Sequence, residues 1–296
     1  MAPFVTKIDV SHSEKLIHDL REQGFTFSEP PYTHFSAKKK GVSCTFYQSG
    51  KLTVQGKEMD AFIEFYLEPE ILKTFEYSHK EFYLDKKPRT GIDEAGKGDF
   101  FGPLCIAGVY TDAKGIDILF SNGVKDSKKM NDVLIGKLAK IIKKECLHHI
   151  VQINPEKYNE IYPKFNNLNR LLAWGHATCI EQLVKKSQCK DVIIDQFANE
   201  SVVIEALERK QLNLNLVQRH KGEEDIVVAA ASILARDAFV RGLANLSKMI
   251  NSELPKGASN KVVQMAKHLY STQGEKGLNF VSKRHFKTWK EVTGIV

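Results

Sequence analysis

The sequence predicts an α/β protein that carries a smaller α+β domain at its N-terminus. After residue 90, short apolar runs typical of strands alternate with longer segments of helical spacing, which is the pattern of an α/β layer. Before residue 86, a helix, several short strands and a second helix follow one another. The length of 296 residues also favours two domains.

The first domain is assigned to residues 1–85. Residues 11–22 have helical spacing behind a serine cap, and residues 59–75 are predicted to form a helix that Pro69 breaks or kinks. The pair Ser49-Gly50 between two of the strands is a hairpin signal. The strands predicted between the helices are 32–37, 42–48 and 51–55.

A short polar run with one proline, residues 86–90, is predicted to link the first domain to a second that covers 91–296. The basic C-terminal part of this second domain is expected to add helical segments around 259–271 and 283–291. The other strands and helices predicted here are strands 104–110, 147–153 and 191–195, and helices 133–144, 168–186 and 225–241.

The formal charge of +7 is concentrated in two places. Residues 241–296 carry ten Lys and Arg against three Glu, and residues 30–57 carry five lysines and no acid. Two basic surfaces with unbalanced charge indicate a polyanionic partner such as nucleic acid. The alternative is that these lysines only solvate the surface.

Several classes of protein are disfavoured by the sequence. The N-terminus lacks the apolar region of a secretory signal, and the longest nearly apolar stretch, 226–235, is about half of what a membrane span needs. The five cysteines form no CxxC pair, which argues against a disulfide framework and a structural zinc site. We therefore expect a reduced, cytoplasmic protein without a membrane partner.

Acidic residues stand at the ends of the predicted apolar strands. Asp93 and Glu94 precede a glycine-rich segment, Asp195 ends a second strand, and Glu223 and Glu224 precede a buried helix. Ligands of α/β folds collect at such positions, and several carboxylates that share two hard divalent cations can hydrolyse a phosphodiester. Each acid alone could be a solvated strand end or a helix cap. Because adjacent strand residues point to opposite faces, Asp93 and Glu94 share a site only if the strand ends or bends between them.

Two further segments carry groups suited to phosphates. Gly96-Lys97-Gly98 would let the backbone approach a phosphate or sugar closely, and Ser127 and Lys128 supply hydroxyl and ammonium donors. Taken alone, the first segment could be a simple turn and the second a solvated loop.

Together these motifs resemble the signature of the type 2 ribonucleases H. The segments that carry the resemblance are GIDEAGKG at 91–98, FGPL at 101–104, DSK at 126–128, KGE at 221–223 and AAASILAR at 229–236. Within the family, the sequence is more similar to the ribonucleases HIII than to HII. The fourth acid is Glu223, the strand acid lies in IDQFA at 194–198, and the extra N-terminal domain contains YQSGK at 47–51 and QGK at 55–57.

The resemblance implies a ribonuclease H fold with an N-terminal substrate-binding domain similar to the TATA-binding protein. It implies an endonuclease that hydrolyses the RNA strand of RNA/DNA hybrids with Mg²⁺ or Mn²⁺ and leaves a 3′-hydroxyl. Nothing in the sequence requires an oligomer, so we expect a monomer. The residues implied for catalysis and metal binding are Asp93, Glu94, Asp195 and Glu223. Those implied for substrate binding are Gly96, Lys97, Gly98, Ser127, Lys128 and Lys221.

Two departures from the family pattern leave questions open. Glu223 precedes Ser232 by nine residues where ten are expected, so Glu224 stays a candidate for the fourth carboxylate. Lys97 stands where the ribonucleases HII commonly have arginine, so a cut-site preference is not implied. The competing functions are a catalytically silent nucleic-acid-binding protein and another metal-dependent nuclease of the same fold.

Overall fold

The computed structural model describes residues 3–79, 84–125, 127–220 and 222–294, with the side chains of Lys129 and Glu223 also outside the description. Lys221 and Asp126, two residues of the predicted motifs, lie outside the described residues. The chain divides into two compact units, Met1–Asp85 and Lys86–Val296. None of the described helices is long and apolar enough to cross a membrane.

The first unit is an antiparallel sheet of five strands covered by helices. The strands lie in the order β1-β5-β4-β3-β2. Their bounds are β1 Phe4–Lys7, β2 Thr26–Ser28, β3 Thr33–Lys39, β4 Val42–Tyr47 and β5 Lys51–Gln55. The helices are α1 Ser13–Glu22 and α2 Met59–Phe62, and α2 continues as a π-helical segment over Ile63–Leu72.

Buried and outward-facing side chains alternate along the strands of the first sheet, as β4 shows. Val42, Cys44 and Phe46 of β4 are buried against the helices while the residues between them face outward, as the two-residue period of a strand requires. The predicted hairpin is confirmed, with Gly50 in the left-handed region at φ +79° between β4 and β5. Pro69 does not break the predicted second helix; it lies inside the wider π-helical segment.

The second unit is a mixed sheet between two layers of helices, which confirms the predicted α/β class. Its strands lie in the order β10-β9-β6-β7-β8, with β6, β9 and β10 parallel to one another. The bounds are β6 Arg89–Ala95, β7 Leu104–Thr111, β8 Leu147–Ile153, β9 Asp191–Asp195 and β10 Asn215–Arg219. The helices are α3 Ala113–Ser121, α4 Asp132–Glu145, α5 Pro155–Phe165, α6 Leu168–Ser187, α7 Glu200–Glu208, α8 Ile226–Met249, α9 Asn260–Val281 and α10 Lys287–Thr293.

The central strand β6 is covered by α8 on one face and by α6 on the other. A Cβ atom at Gly91 would lie 2.4 Å from the backbone nitrogen of Val228, so α8 can approach this face only because residue 91 is glycine. Ile92 points the other way, into the core that it shares with α6. The strand therefore directs successive side chains alternately toward α8 and α6.

The predicted linker, 86–90, needs a correction, because β6 already begins at Arg89. The Arg89 guanidinium donates from Nε to Asp225 Oδ2 at 2.8 Å, and both side chains are only 5% exposed. This buried pair binds the start of β6 to the start of α8. The polar appearance of Arg89 therefore reflects an internal ion pair and not a solvated linker.

Several elements escaped the sequence analysis. Strands β1 and β2 are four and three residues long, too short to show a period. Strand β10, which was also missed, lies at the edge of the second sheet, and its residues alternate between exposed and half-buried. The remaining missed elements are α3, α5 and α7. Helix α9 extends ten residues beyond the predicted 271, across a kink at Gly274.

Candidate active site

The carboxyl ends of β6 and β9 meet at a cavity of about 250 Å³. The two strands are parallel neighbours, with Ile92 opposite Ile194, so the acids that follow these residues emerge at the same edge of the sheet. The described residues that line the cavity are Asp93, Glu94, Ala95, Gly96, Lys97, Gly98, Ser127, Lys128, Asp195, Ser232 and Arg236. Three of the four predicted acids are thus brought together.

Asp93 and Glu94 share the cavity although their side chains point to opposite faces of β6. Asp93 lies on the α8 side, where Ser232 hydrogen-bonds it, and its Oδ1 accepts from the Glu94 backbone N–H at 2.7 Å. Glu94 lies on the α6 side, where its Oε2 is 3.1 Å from His176 Nε2. The expectation that β6 ends or bends between the two acids is wrong, because β6 stays paired with β7 as far as Ala95. Its pairing with β9 stops at Ile92, so both acids can border the cavity on that side.

The pKa values of the two neighbouring acids are displaced in opposite directions. Burial, followed by the charges of Glu94 and Asp195, raises the pKa of Asp93 to about 7. Burial also acts to raise the pKa of Glu94, but the hydrogen bond and charge of His176, together with Lys97, lower it below its usual value. The cavity therefore concentrates negative charge that a bound cation would relieve.

Asp195 ends β9 and is fixed by the backbone of the next segment. Its Oδ1 accepts from the Gly222 backbone N–H at 2.8 Å. A Cβ atom at Gly222 would lie 2.7 Å from the Asp195 Cα, so this approach requires glycine. The contact explains why the Lys-Gly-Glu motif has glycine at its centre, and it brings the backbone of residue 223 beside Asp195.

The fourth acid is only partly described. Lys221 and the Glu223 side chain lie outside the described residues, while Glu224 is exposed in the short 3-10 turn Gly222–Glu224. The helix-capping role that the sequence left open for Glu223 or Glu224 belongs to Asp225. Its Oδ1 accepts from the backbone N–H groups of Val227 at 2.9 Å and Val228 at 3.3 Å.

The glycine-rich segment forms one wall of the cavity. Gly96 has φ +86°, and a Cβ atom there would lie 2.2 Å from the Pro103 carbonyl oxygen, so the turn requires glycine. A Cβ atom at Gly98 would contact nothing within 4 Å, which leaves open space beside that backbone. Lys97 places Nζ 3.7 Å from Glu94 Oε1 and 5.6 Å from the centroid of the Phe197 ring.

Ser127 and Lys128 approach the cavity from the segment before α4. Ser127 is buried, with its hydroxyl 2.7 Å from that of Ser232, whereas Lys128 is exposed. Ser127 therefore couples this segment to the helix residue that hydrogen-bonds Asp93. Of the two, Lys128 is the one that stays accessible to a ligand.

His176 is the site residue that sequence reasoning missed. It lies on the buried face of α6, is fully buried, and packs against the Phe197 ring with centroids 4.5 Å apart. The available signal was one histidine among apolar helix residues, a pattern more often structural than functional. Ser232 and Arg236 stand in the AAASILAR motif but were assigned no role.

The donor chemistry of the site fits a divalent metal ion. Carboxylate oxygens are the ligands that Mg²⁺ and Mn²⁺ prefer, and three carboxylates line one cavity. Within the part of the chain that the structure describes, no group of three His, Cys, Asp or Glu side chains is arranged to hold an ion. Two of the acids are held by protein donors instead, Glu94 by His176 and Asp195 by Gly222.

Comparisons with known proteins agree along the whole chain. Residues 90–289 match the family model described as Ribonuclease HII, and residues 3–79 match one described as Domain of unknown function (DUF3378). The chain is 57% identical to "Ribonuclease HIII" of Protochlamydia amoebophila over 296 residues, covering 100% of this chain and 98% of that one. The crystal structure of Bst-RNase HIII in complex with Mn²⁺ superposes with a TM-score of 0.69 at 26% identity, over 99% of this chain and 98% of that one. That of Aquifex aeolicus RNase H3 gives a TM-score of 0.57 at 27% identity, over 95% and 98%.

Proposed function

This chain belongs to the ribonuclease HII family, its full-length relatives are ribonucleases HIII, and from that premise we propose that it is a metal-dependent endonuclease that hydrolyses the RNA strand of RNA/DNA hybrids. The observation that carries the proposal is the convergence of Asp93, Glu94 and Asp195 on one cavity beside a glycine-rich segment. A catalytically silent binding protein would have no need for buried carboxylates that destabilise one another. The complete motif set disfavours another nuclease of the same fold.

We propose that Asp93, Glu94, Asp195 and Glu223 hold Mg²⁺ or Mn²⁺. When bound, such ions activate a water molecule and neutralise the charge that develops on the leaving 3′ oxygen. Each described acid has a partner that orients it: Ser232 for Asp93, His176 for Glu94 and the Gly222 N–H for Asp195. The protein thus limits which carboxylate oxygens face the cavity.

Glu223 is proposed as the fourth carboxylate in preference to Glu224. Glu224 is exposed and lines no part of the cavity that the structure describes. The hydrogen bond from the Gly222 N–H to Asp195 supports this choice, because Glu223 is the next residue along the chain. Asp225 already supplies the helix cap, so neither glutamate is needed for that role.

The substrate backbone is proposed to lie along Gly96, Lys97 and Gly98, with Ser127, Lys128 and Lys221 nearby. Open space beside Gly98 allows a sugar or phosphate to approach the main chain. The Lys128 ammonium is exposed at the cavity and suits a phosphate contact. Such contacts recognise the shape of the duplex and its 2′-hydroxyls and not its base sequence.

The first unit, residues 1–85, is proposed to bind the hybrid, with help from the basic C-terminal segment. Lys38, Lys39 and Lys57 line an open cavity of about 670 Å³ together with Gln55. Lysines at such a surface bind phosphates and release counterions, so binding should depend on salt. We further propose a monomer that acts in the cytoplasm, consistent with five cysteines that are free thiols.

Cleavage of three end-labelled duplexes tests the proposed function. RNA/DNA, RNA/RNA and DNA/DNA of the same sequence are incubated with the protein, with Mg²⁺, with Mn²⁺ and with EDTA. We expect cuts in the RNA strand of the hybrid only, and only with a divalent cation. Binding without cleavage would indicate the silent binding protein, and cleavage of all three duplexes would indicate a different nuclease.

A further inference from the structure

A second cavity, of about 280 Å³, lies in the second unit on the far side of α6 from the acids. Trp174, which lines it, precedes His176 by two residues, so the two side chains leave α6 in nearly opposite directions. His176 reaches Glu94, whereas Trp174 contacts Phe165 at the end of α5 with ring centroids 5.9 Å apart. This cavity is therefore separate from the proposed active site.

The floor of this second cavity is apolar and partly open. Phe165 and Trp174 form one side, and Val202 and Ala206 of α7 form the other. Trp174 is 37% exposed, which is unusual for the largest apolar side chain. Part of the Trp174 side chain is thus accessible in this cavity.

The rim is strongly cationic. Lys164, Arg170, Arg209 and Lys210 surround the floor, against one carboxylate, that of Glu205. Lys210 is neutralised by Glu181, 2.5 Å away. Among the described residues, no ion pair joins Lys164, Arg170 or Arg209 to a carboxylate.

Arg170 is the rim residue that helix stability does not explain. Lys164 and Arg209 lie at the C-terminal ends of α5 and α7, where a cation is favourable. Arg170 lies in the first turn of α6, which contains no acid, and there the helix dipole disfavours a positive charge. A ligand that is itself anionic would remove this conflict.

We propose that this cavity binds single-stranded nucleic acid, with one unpaired base stacked on Trp174 and the flanking phosphates on Lys164, Arg170 and Arg209. An unpaired base can stack its flat face on the exposed indole ring of Trp174. The planar guanidinium groups of Arg170 and Arg209 can bind phosphate oxygens. An acidic peptide would satisfy the cations but leave the ring uncovered. The inference does not rest on the proposed nuclease function, because such binding needs neither metal nor cleavage.

Tryptophan fluorescence tests the inference on the full-length protein in EDTA. The chain has two tryptophans, and Trp289 is only 5% exposed, so stacking should quench mainly Trp174. The titrants are a single-stranded octathymidylate, an abasic octamer of the same backbone and an octaglutamate peptide. We expect saturable quenching by octathymidylate only.

Two variants and a matched control locate the binding. Trp174→Phe should abolish the quenching, and the double variant Arg170→Glu/Arg209→Glu should weaken binding by about tenfold or more. Lys140→Glu/Lys186→Glu changes the net charge equally at exposed lysines that line neither cavity, and it should bind like the wild type.

Four results would overturn the inference: unchanged quenching in Trp174→Phe, equal losses in the two double variants, equally tight binding of the abasic octamer, or equal quenching by the peptide. The last would identify a protein partner instead. Cleavage of a blunt RNA/DNA hybrid by the wild type reports separately on the nuclease function. Its absence would contradict that function and leave this inference standing.

Discussion

The two units of the chain place their charged groups in opposite surroundings. In the second unit, Asp93 and Glu94 are enclosed, and burial together with their mutual repulsion displaces the pKa of Asp93. In the first unit, Lys38, Lys39 and Lys57 stand at an open cavity whose described lining residues include no acid. Enclosed charge can perform chemistry because its protonation and ligand affinity are altered, whereas exposed charge mainly contributes attraction. We therefore expect changes at the enclosed acids of the second unit to alter rate and changes at the exposed lysines of the first unit to alter affinity.

The largest effect is expected from Asp195→Asn. The substitution keeps the size of the side chain and a carbonyl oxygen that can accept from the Gly222 N–H, but it removes the negative charge. Cleavage of the hybrid should fall by orders of magnitude while the chain stays folded. Initial rates in Mg²⁺ and circular dichroism of the same preparation check this, and near wild-type cleavage would show that Asp195 binds no metal.

The next effect separates the two adjacent glutamates. Glu223→Gln should be severely impaired in Mg²⁺, and Glu224→Gln should remain active, because only the first is expected beside Asp195. Neither should change the melting temperature much, since Asp225 provides the helix cap. An inactive Glu224→Gln variant would show that Glu224, and not Glu223, is the fourth carboxylate. Two active variants would mean that three acids suffice.

Deletion of residues 1–85 should leave a second unit that cleaves hybrids weakly, with the loss in binding. The dissociation constant should rise by about tenfold or more. The negative slope of the log binding constant against log salt should become shallower by about two to three as lysine contacts to phosphates are lost. Fluorescence anisotropy of a labelled hybrid at several salt concentrations measures both. Unchanged affinity at moderate salt would contradict the assignment of substrate binding to this unit.

A smaller effect is expected on stability in the absence of metal. Because the folded pKa of Asp93 is raised to about 7, the native state binds a proton that the unfolded chain has released, and stability should fall as pH rises from about 4 to 7. His285, with its pKa lowered by burial from 6.5 to about 4, acts in the opposite direction between those pH values. Lys283, with its pKa lowered by burial to about 7, does so only above about pH 7. The Asp93→Asn variant isolates the carboxylate.

In EDTA, the melting temperature of Asp93→Asn relative to the wild type should rise between pH 5 and pH 8, by at least about 3 °C. Divalent cation should reduce this difference because it stabilises the ionised wild-type site. A pH-independent difference would show that Asp93 is not enclosed with other negative charge.

The same contrast between enclosed and exposed residues explains what the sequence could predict. Helix α8 was predicted because its first turns are rich in alanine, which favours helix and allows close packing, and nearly all of these residues are buried. Asp93, Glu94 and Asp195 were singled out because they form a set at strand ends and lie in motifs that resemble those of the type 2 ribonucleases H, although each acid alone could be a solvated strand end. Strands β1 and β2 were missed because their pairing with the rest of the sheet, and not their own pattern, stabilises them.

Residues that act through distant contacts were the hardest to predict. The link between Arg89 and Asp225 spans 136 positions, and the link between His176 and Glu94 spans 82. Nothing local in the sequence marks either pair. The same holds for Trp174 and Phe165, whose common cavity with α7 exists only in the folded chain.

Single-turnover cleavage at saturating protein concentration tests most directly whether the acids of the second unit determine the rate and the lysines of the first unit determine the affinity. The full-length variant Lys38→Glu/Lys39→Glu/Lys57→Glu is compared with Asp195→Asn and the wild type on one labelled RNA/DNA hybrid in Mg²⁺. We expect the triple variant to need a higher concentration but to reach the wild-type rate, and Asp195→Asn to bind normally but cleave orders of magnitude more slowly. A triple variant whose rate stays low at saturation, or an Asp195 variant that reaches the wild-type rate, would contradict the account.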